Sequence, residues 1–205
     1  MNDSRHQPPY HSLEELIAMI DSPWRLSCER LLGDHEARFR TARGASHNHQ
    51  VWEGGYWDHI TEVMNLACVL HDQLSSLRPL PFSKSDALLV LFLHDLEKPW
   101  RFTKEANGEW TQSKDLNTEE DKRRFRSKIL AQYDIVLTPD QYNALTYVHG
   151  ELDDYRSDRR VINELGVLCH SCDYLSARLW YDHAKPSDDP WAGAKRSAPR
   201  SPSAA

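Results

Sequence analysis

Four residues of this chain could act together chemically: His59, the adjacent pair His94-Asp95, and Asp173. His94-Asp95 closes an unbroken apolar run, Ala87 to Leu93, and Pro99 follows shortly after. A helix that is apolar on every side is a buried one. An unpaired aspartate at its end costs several kcal/mol, so Asp95 needs a cation or several donors. His59 borders the apolar stripe of a second helix, and Asp173 lies within a third; each would be costly there without a partner. Two imidazoles and two carboxylates make a nitrogen/oxygen set suited to Mn²⁺, Co²⁺, Ni²⁺, Zn²⁺ or Fe²⁺. On an octahedral ion, four such ligands leave two positions for water and a substrate oxygen. The ion would lower the pKa of bound water and polarise a phosphoryl oxygen. The expectation is one divalent ion per chain, Mg²⁺ included among the candidates, with a second ion left open.

The elements that must position these groups are helices. Ser12-Leu-Glu-Glu15 is a capping box that opens a short helix through Ile20. Pro23 starts a second, running from about Trp24 to Arg40. A loop over 41–55 follows, with His47, His49, Trp52 and a Gly54-Gly55 pair that lets backbone pass close to something. Ile60, Val63, Met64, Ala67, Leu70, Leu74 and Leu77 form the core-facing stripe of a helix over about 56–77. On that helix His71-Asp72 reads as a surface pair. Ser83 with Asp86 caps the helix that bears His94-Asp95, which is expected to stop near Glu97 or Lys98 ahead of Pro99.

Beyond Pro99, residues 100–112 read as a small β-hairpin around a type I′ turn at Asn107-Gly108. Further helices are expected over about 118–133, with a basic stretch Lys122 to Arg126 read as a solvated face, over 139–149, and over 159–181. This makes an all-α bundle of about seven helices with one hairpin, bounded by a flexible stretch over 1–11 and a disordered tail over 184–205.

Composition narrows the function classes. With 31 Asp+Glu against 25 Lys+Arg, the formal net charge is −6, which argues against a general nucleic-acid coat or an anionic membrane surface. A small anionic substrate in a local basic pocket remains compatible. Cys169-His-Ser-Cys172 has no second pair to complete a zinc ribbon, and the four cysteines read as reduced thiols. With no signal-peptide pattern and no apolar run near ~18 residues, the expected compartment is the cytoplasm.

Three segments carry a resemblance to the HD-domain metal-dependent phosphohydrolases. Gly54-Gly55-Tyr-Trp-Asp-His59 is similar to the start of that family's first ligand helix. Leu-Phe-Leu-His94-Asp95-Leu-Glu-Lys98-Pro resembles its core His-Asp box, and Cys-His-Ser-Cys-Asp173-Tyr-Leu-Ser-Ala its closing helix. The resemblance covers about 50–180. It implies an enzyme that cleaves a phosphoester or phosphoanhydride of a nucleotide, with His59, His94, Asp95 and Asp173 as metal ligands. Asp95 and Lys98 would be catalytic, the lysine as a point charge on phosphate. His149, His170, His49 and Trp52 are candidates to support a ligand or touch substrate. The chain departs from the family in having Glu97 where most members have glycine. It also offers only His149 and His170 between the His-Asp pair and Asp173, fewer histidines than a two-metal site needs. Other classes left open are nucleic-acid 3′-end processing, a non-catalytic nucleotide binder, and a di-iron oxygenase of related fold.

Overall fold

Four capping boxes fix where helices begin: Ser12 with Glu15, Ser83 with Asp86, Thr118 with Asp121, and Thr138 with Gln141. In each, the hydroxyl accepts the backbone N–H three residues on, and that residue's side chain accepts the cap's own N–H. The computed structural model describes residues 8–46 and 50–179. The helices are α1 (Leu13–Ala18), α2 (Trp24–Thr41), α3 (Gly55–Leu77), α4 (Lys84–Leu93), α5 (Lys98–Arg101), α6 (Glu119–Gln132), α7 (Pro139–Tyr147) and α8 (Glu164–Arg178). Between α5 and α6 lies a hairpin of β1 (Phe102–Lys104) and β2 (Trp110–Gln112), antiparallel with Thr103 opposite Thr111. The all-α bundle with a small hairpin is therefore observed.

At the centre, α3 packs along α4 and α8 and also meets α2 and α1; α7 packs on α8 and α4. Every residue of α4 from Ala87 to Leu93 has no solvent exposure, so this helix is covered all round, as its unbroken apolar run requires. Each Leu, Val or Phe so buried contributes roughly 1.5–3 kcal/mol of transfer free energy. No helix among the described residues is long and apolar enough to cross a membrane. At the start of the described chain, His11 is tied to α3 by two hydrogen bonds with the Asn65 amide, 2.8 and 2.9 Å.

Three local expectations are corrected. The helix carrying His94-Asp95 was expected to reach Glu97 or Lys98, but α4 ends at Leu93 and helix resumes only at Lys98. In between, the bonds tighten to i→i+3: Leu96 N–H to Leu93 O and Lys98 N–H to Asp95 O. Pro99 enforces this, since it has no N–H to offer the Asp95 carbonyl. Secondly, the hairpin turn is not type I′, which needs positive φ at both central residues. Only Gly108 has positive φ (84°), and its N–H bonds the Glu105 carbonyl at 2.9 Å, so a Glu105–Gly108 turn ends on a glycine bulge. Thirdly, α8 begins at Glu164 rather than near 159. Asn163 caps it by accepting Gly166 N–H at 2.8 Å, while Glu151 Oε1 accepts the N–H groups of Val161 and Ile162 and holds that stretch out of the helix. The expected end of this helix, and the tail, lie outside the described residues.

Candidate metal centre

The break after Leu93 decides where the central pair points. His94 closes α4 and donates from Nδ1 to the Leu91 carbonyl at 2.6 Å, which satisfies one of the helix's open carbonyls. That bond leaves Nε2 as the lone-pair nitrogen of the neutral ring. On α3, His59 Nδ1 lies 3.2 Å from Ser176 Oγ of α8. The Ser176 hydroxyl donates to Glu62 Oε2 at 2.7 Å, so its oxygen accepts from His59 Nδ1–H. Again Nε2 is left with the lone pair. Gln50 completes the arrangement, its amide donating to both Glu62 (3.2 Å) and Ser176 (3.3 Å). All four of these groups are almost fully buried.

The two Nε2 atoms stand 3.3 Å apart. Asp95 Oδ2 lies 3.1 Å from His94 Nε2 and 3.4 Å from His59 Nε2, and Asp173 Oδ1 lies 3.2 Å from His59 and 3.7 Å from His94. Four acceptor atoms so close repel one another unless something positive lies among them. An ion with bonds of ~2.1 Å spaces neighbouring ligand atoms at about 3.0 Å in an octahedron and about 3.4 Å in a tetrahedron, which matches these separations. Asp95 Oδ2 is moreover buried without a hydrogen bond of acceptable geometry, although the Lys98 ammonium lies directly against it. The residues therefore fit a metal ion. Two overlapping groups could hold one: His59, His94 and Asp173, and also His94, Asp95 and His149.

Electrostatics point the same way. Burial opposes a charge on His94, but the Asp95 and Asp173 carboxylates outweigh it and push its pKa up to about 10. Burial would likewise raise the Asp95 carboxyl; His94 and Lys98, then His149 and His59, hold it well below the usual carboxylate range. Asp173 is held low against its burial by its close contacts with the His59 and His94 rings. The site demands positive charge, which a proton or a metal ion can supply.

The sequence-predicted residues divide clearly. His59, His94, Asp95 and Asp173 converge as expected. Lys98 is partly buried and ion-paired with Asp95. His149, half exposed after α7, brings Nε2 to 3.5 Å from Asp95 Oδ1, on the side away from the other histidines' contacts with Oδ2. His170 does not reach the cluster; its Nδ1 donates to the Val148 carbonyl at 2.8 Å and its ring lies against Gly150, so it holds the turn that carries His149. Trp52 donates to Asp58 at 2.8 Å and stands apart, as does His71-Asp72, where Asp72 pairs with Lys84 at 2.7 Å and His71 is partly buried against Phe82. His49 and His47 lie outside the described residues.

Several contributing residues carried no ligand-like signal. Glu62 and Ser176 each sit three positions from a ligand, on His59's and Asp173's own helix faces, which a search for partners one turn away would find. Gln50 is invisible in sequence, but the Gly54-Gly55 pair points to it: a Cβ on Gly55 would lie 2.0 Å from the Gln50 carbonyl oxygen. Arg126, in the stretch read as a solvated face, donates to the His94 carbonyl at 2.8 Å. Glu97 is buried beside the pair, and burial reinforced by Asp95 pushes its carboxyl up.

A cleft of about 310 Å³ opens onto His94 and His149, walled by Arg123 and Arg126 of α6 and by Tyr147, with Glu97 at its base. None of Trp52, Trp57 or Trp100 lines it. No protein-family description, curated protein or solved structure matches this chain, so the helical bundle and its His/Asp cluster, compatible with an HD domain, stand on their own geometry.

Proposed function

We propose that this chain is a metal-dependent phosphohydrolase of the HD type, acting on a small phosphorylated substrate of the nucleotide class. The observation that carries the reading is the meeting of four acceptor atoms from three helices, all within 3.1–3.7 Å across the two histidines. His59, His94, Asp95 and Asp173 would hold a divalent ion, which would lower the pKa of a bound water and polarise a phosphoryl oxygen. Mn²⁺, Co²⁺, Ni²⁺, Zn²⁺ and Fe²⁺ all suit this ligand set, and Mg²⁺ stays a candidate on charge alone. Asp95 turns its second oxygen toward His149, and with His94 these form a second group that could hold an ion.

The chain's own groups do the rest. The Gln50–Glu62–Ser176 network fixes the His59 ring and its tautomer, as partners behind a metal-bound histidine do. Lys98, an ammonium paired with Asp95, would neutralise charge that grows on a phosphoryl oxygen. Burial of all but the cleft face keeps the local dielectric low and these interactions strong. The test is a screen of mono-, tri- and cyclic nucleotides with Mn²⁺, Co²⁺ or Mg²⁺ added, reading release of phosphate, pyrophosphate or triphosphate. Metal-dependent release that Asp95→Ala abolishes supports the reading. A protein that binds metal yet turns over no phosphoester in the panel contradicts it.

A further inference from the structure

The basic stretch on α6 has a use that its helix alone does not explain. Arg126 and Arg123 are three positions apart, hence on the same face of α6 with Cβ atoms about 5–6 Å from each other, and both wall the cleft. Arg126 spends one N–H on the His94 carbonyl, which anchors its guanidinium beside the ligand cluster. Arg123, one turn away, is exposed. Among the described residues neither forms an ion pair, so most of their ten N–H donors, five on each guanidinium, are uncommitted. The Arg126 charge also acts on the Glu97 and Glu119 carboxyls, but several of the cleft's acids have other partners. Glu119 pairs with Lys122, Glu151 accepts the Val161 and Ile162 N–H groups, and Asp154 accepts the Tyr147 hydroxyl.

We infer that Arg126 and Arg123 form an anion subsite for a second phosphoryl group, so that the cleft takes a phosphoanhydride chain rather than a lone monoester. This rests on the reading of the cluster as a phosphohydrolase centre. One phosphoryl sits at the His59–His94–Asp95–Asp173 cluster with Lys98, and the next meets the guanidinium forks, which suit phosphate geometry. The cleft is small, near the lower end of the ~300–1,000 Å³ usual for ligand sites, and beside the His94 and His149 rings Tyr147 is the one Phe, Tyr or Trp that lines it. Its walls thus grip the phosphate chain and offer a base little to stack on, so discrimination among bases is weak. An extended nucleic acid is the poorer fit, because Asp153 and Asp154 are among the residues that line the cleft and the chain is acidic overall.

The experiment is calorimetric titration of the full chain with inorganic orthophosphate and pyrophosphate at constant free Mn²⁺, repeated with Arg123→Ala and Arg126→Gln. The glutamine keeps an N–H donor for the His94 carbonyl. Wild type should bind pyrophosphate more tightly than orthophosphate. Arg123→Ala should weaken pyrophosphate by about tenfold or more, as expected for losing a charged hydrogen bond, and leave orthophosphate and Mn²⁺ binding unchanged. The diphosphates of adenosine, guanosine, cytidine and uridine should bind alike. Unchanged pyrophosphate affinity in Arg123→Ala overturns the subsite, as does an oligonucleotide that binds through Arg123 while pyrophosphate does not. If Mn²⁺ fails to bind, the hydrolase reading falls separately, and Arg123-dependent pyrophosphate binding in its absence decides the subsite.

Discussion

Each histidine of the cluster is oriented by an acceptor behind it. His59 depends on Ser176, whose hydroxyl is itself committed to Glu62. Ser176→Ala removes the acceptor for His59 Nδ1–H and leaves Glu62 short of a donor. Metal affinity should therefore fall by about 10–100-fold, with the fold kept; titration of Mn²⁺ into both proteins checks this, and equal affinities would mean the tautomer is set elsewhere. Lys98 separates binding from chemistry. An ammonium cannot be a ligand, so Lys98→Ala should retain the metal yet lose roughly 10²–10³ in rate, the usual effect of removing one transition-state charge contact. Steady-state kinetics at saturating metal read this, and Lys98→Arg should recover part of the loss because it keeps the charge but not its compact shape. A wild-type rate in Lys98→Ala would leave the lysine a structural partner of Asp95 alone.

At the scale of elements, two glycines show how backbone serves the site. Gly33 lies inside α2 with open space around it, so Gly33→Ala should raise stability by up to about 1 kcal/mol through helix propensity. Gly55 opens α3, and there an added Cβ would collide with the backbone of Gln50. Gly55→Ala should lower the melting temperature and weaken metal binding together, since it displaces Gln50 from Glu62 and Ser176. Denaturant melts and Mn²⁺ titrations of the two variants check the contrast. The covered helix α4 makes a third case. Leu89→Ala should cost about 2–5 kcal/mol, the range for a large core side chain replaced by a methyl.

The elements also show what sequence could and could not reveal. Capping boxes and the stripe on α3 depend on neighbours within a turn or two, and so could be read directly. The end of α4 could not, because it turns on the His94 ring taking the Leu91 carbonyl and on Pro99 having no N–H for the Asp95 carbonyl. The four ligands stood out by type, since histidine and aspartate beside apolar stripes need partners. Gln50, Glu62, Ser176 and Arg126 did not, because their roles arise from contacts between elements far apart in the chain. The basic stretch on α6 was legible as charge but not as the wall of a cleft.

For the whole molecule, the cluster joins α3, the end of α4 and α8, the three helices that meet at the centre of the bundle. An ion bound there stabilises the folded state alone, so its removal lowers stability by linkage. At a metal concentration 100-fold above Kd the effect is about 2.7 kcal/mol. For a chain of this size that corresponds to a melting temperature lower by roughly 5–10 °C in chelator. An unchanged melting curve would place the ion outside the core of the bundle.

The central claim is that the four acceptor atoms hold a metal, and elemental analysis of purified protein tests it most directly. After incubation with excess Mn²⁺ and desalting, wild type should carry close to one ion per chain or more, and Asp95→Ala, which removes one of the two carboxylates that face both histidines, should carry almost none. Full occupancy in Asp95→Ala, or none in wild type, would contradict the account.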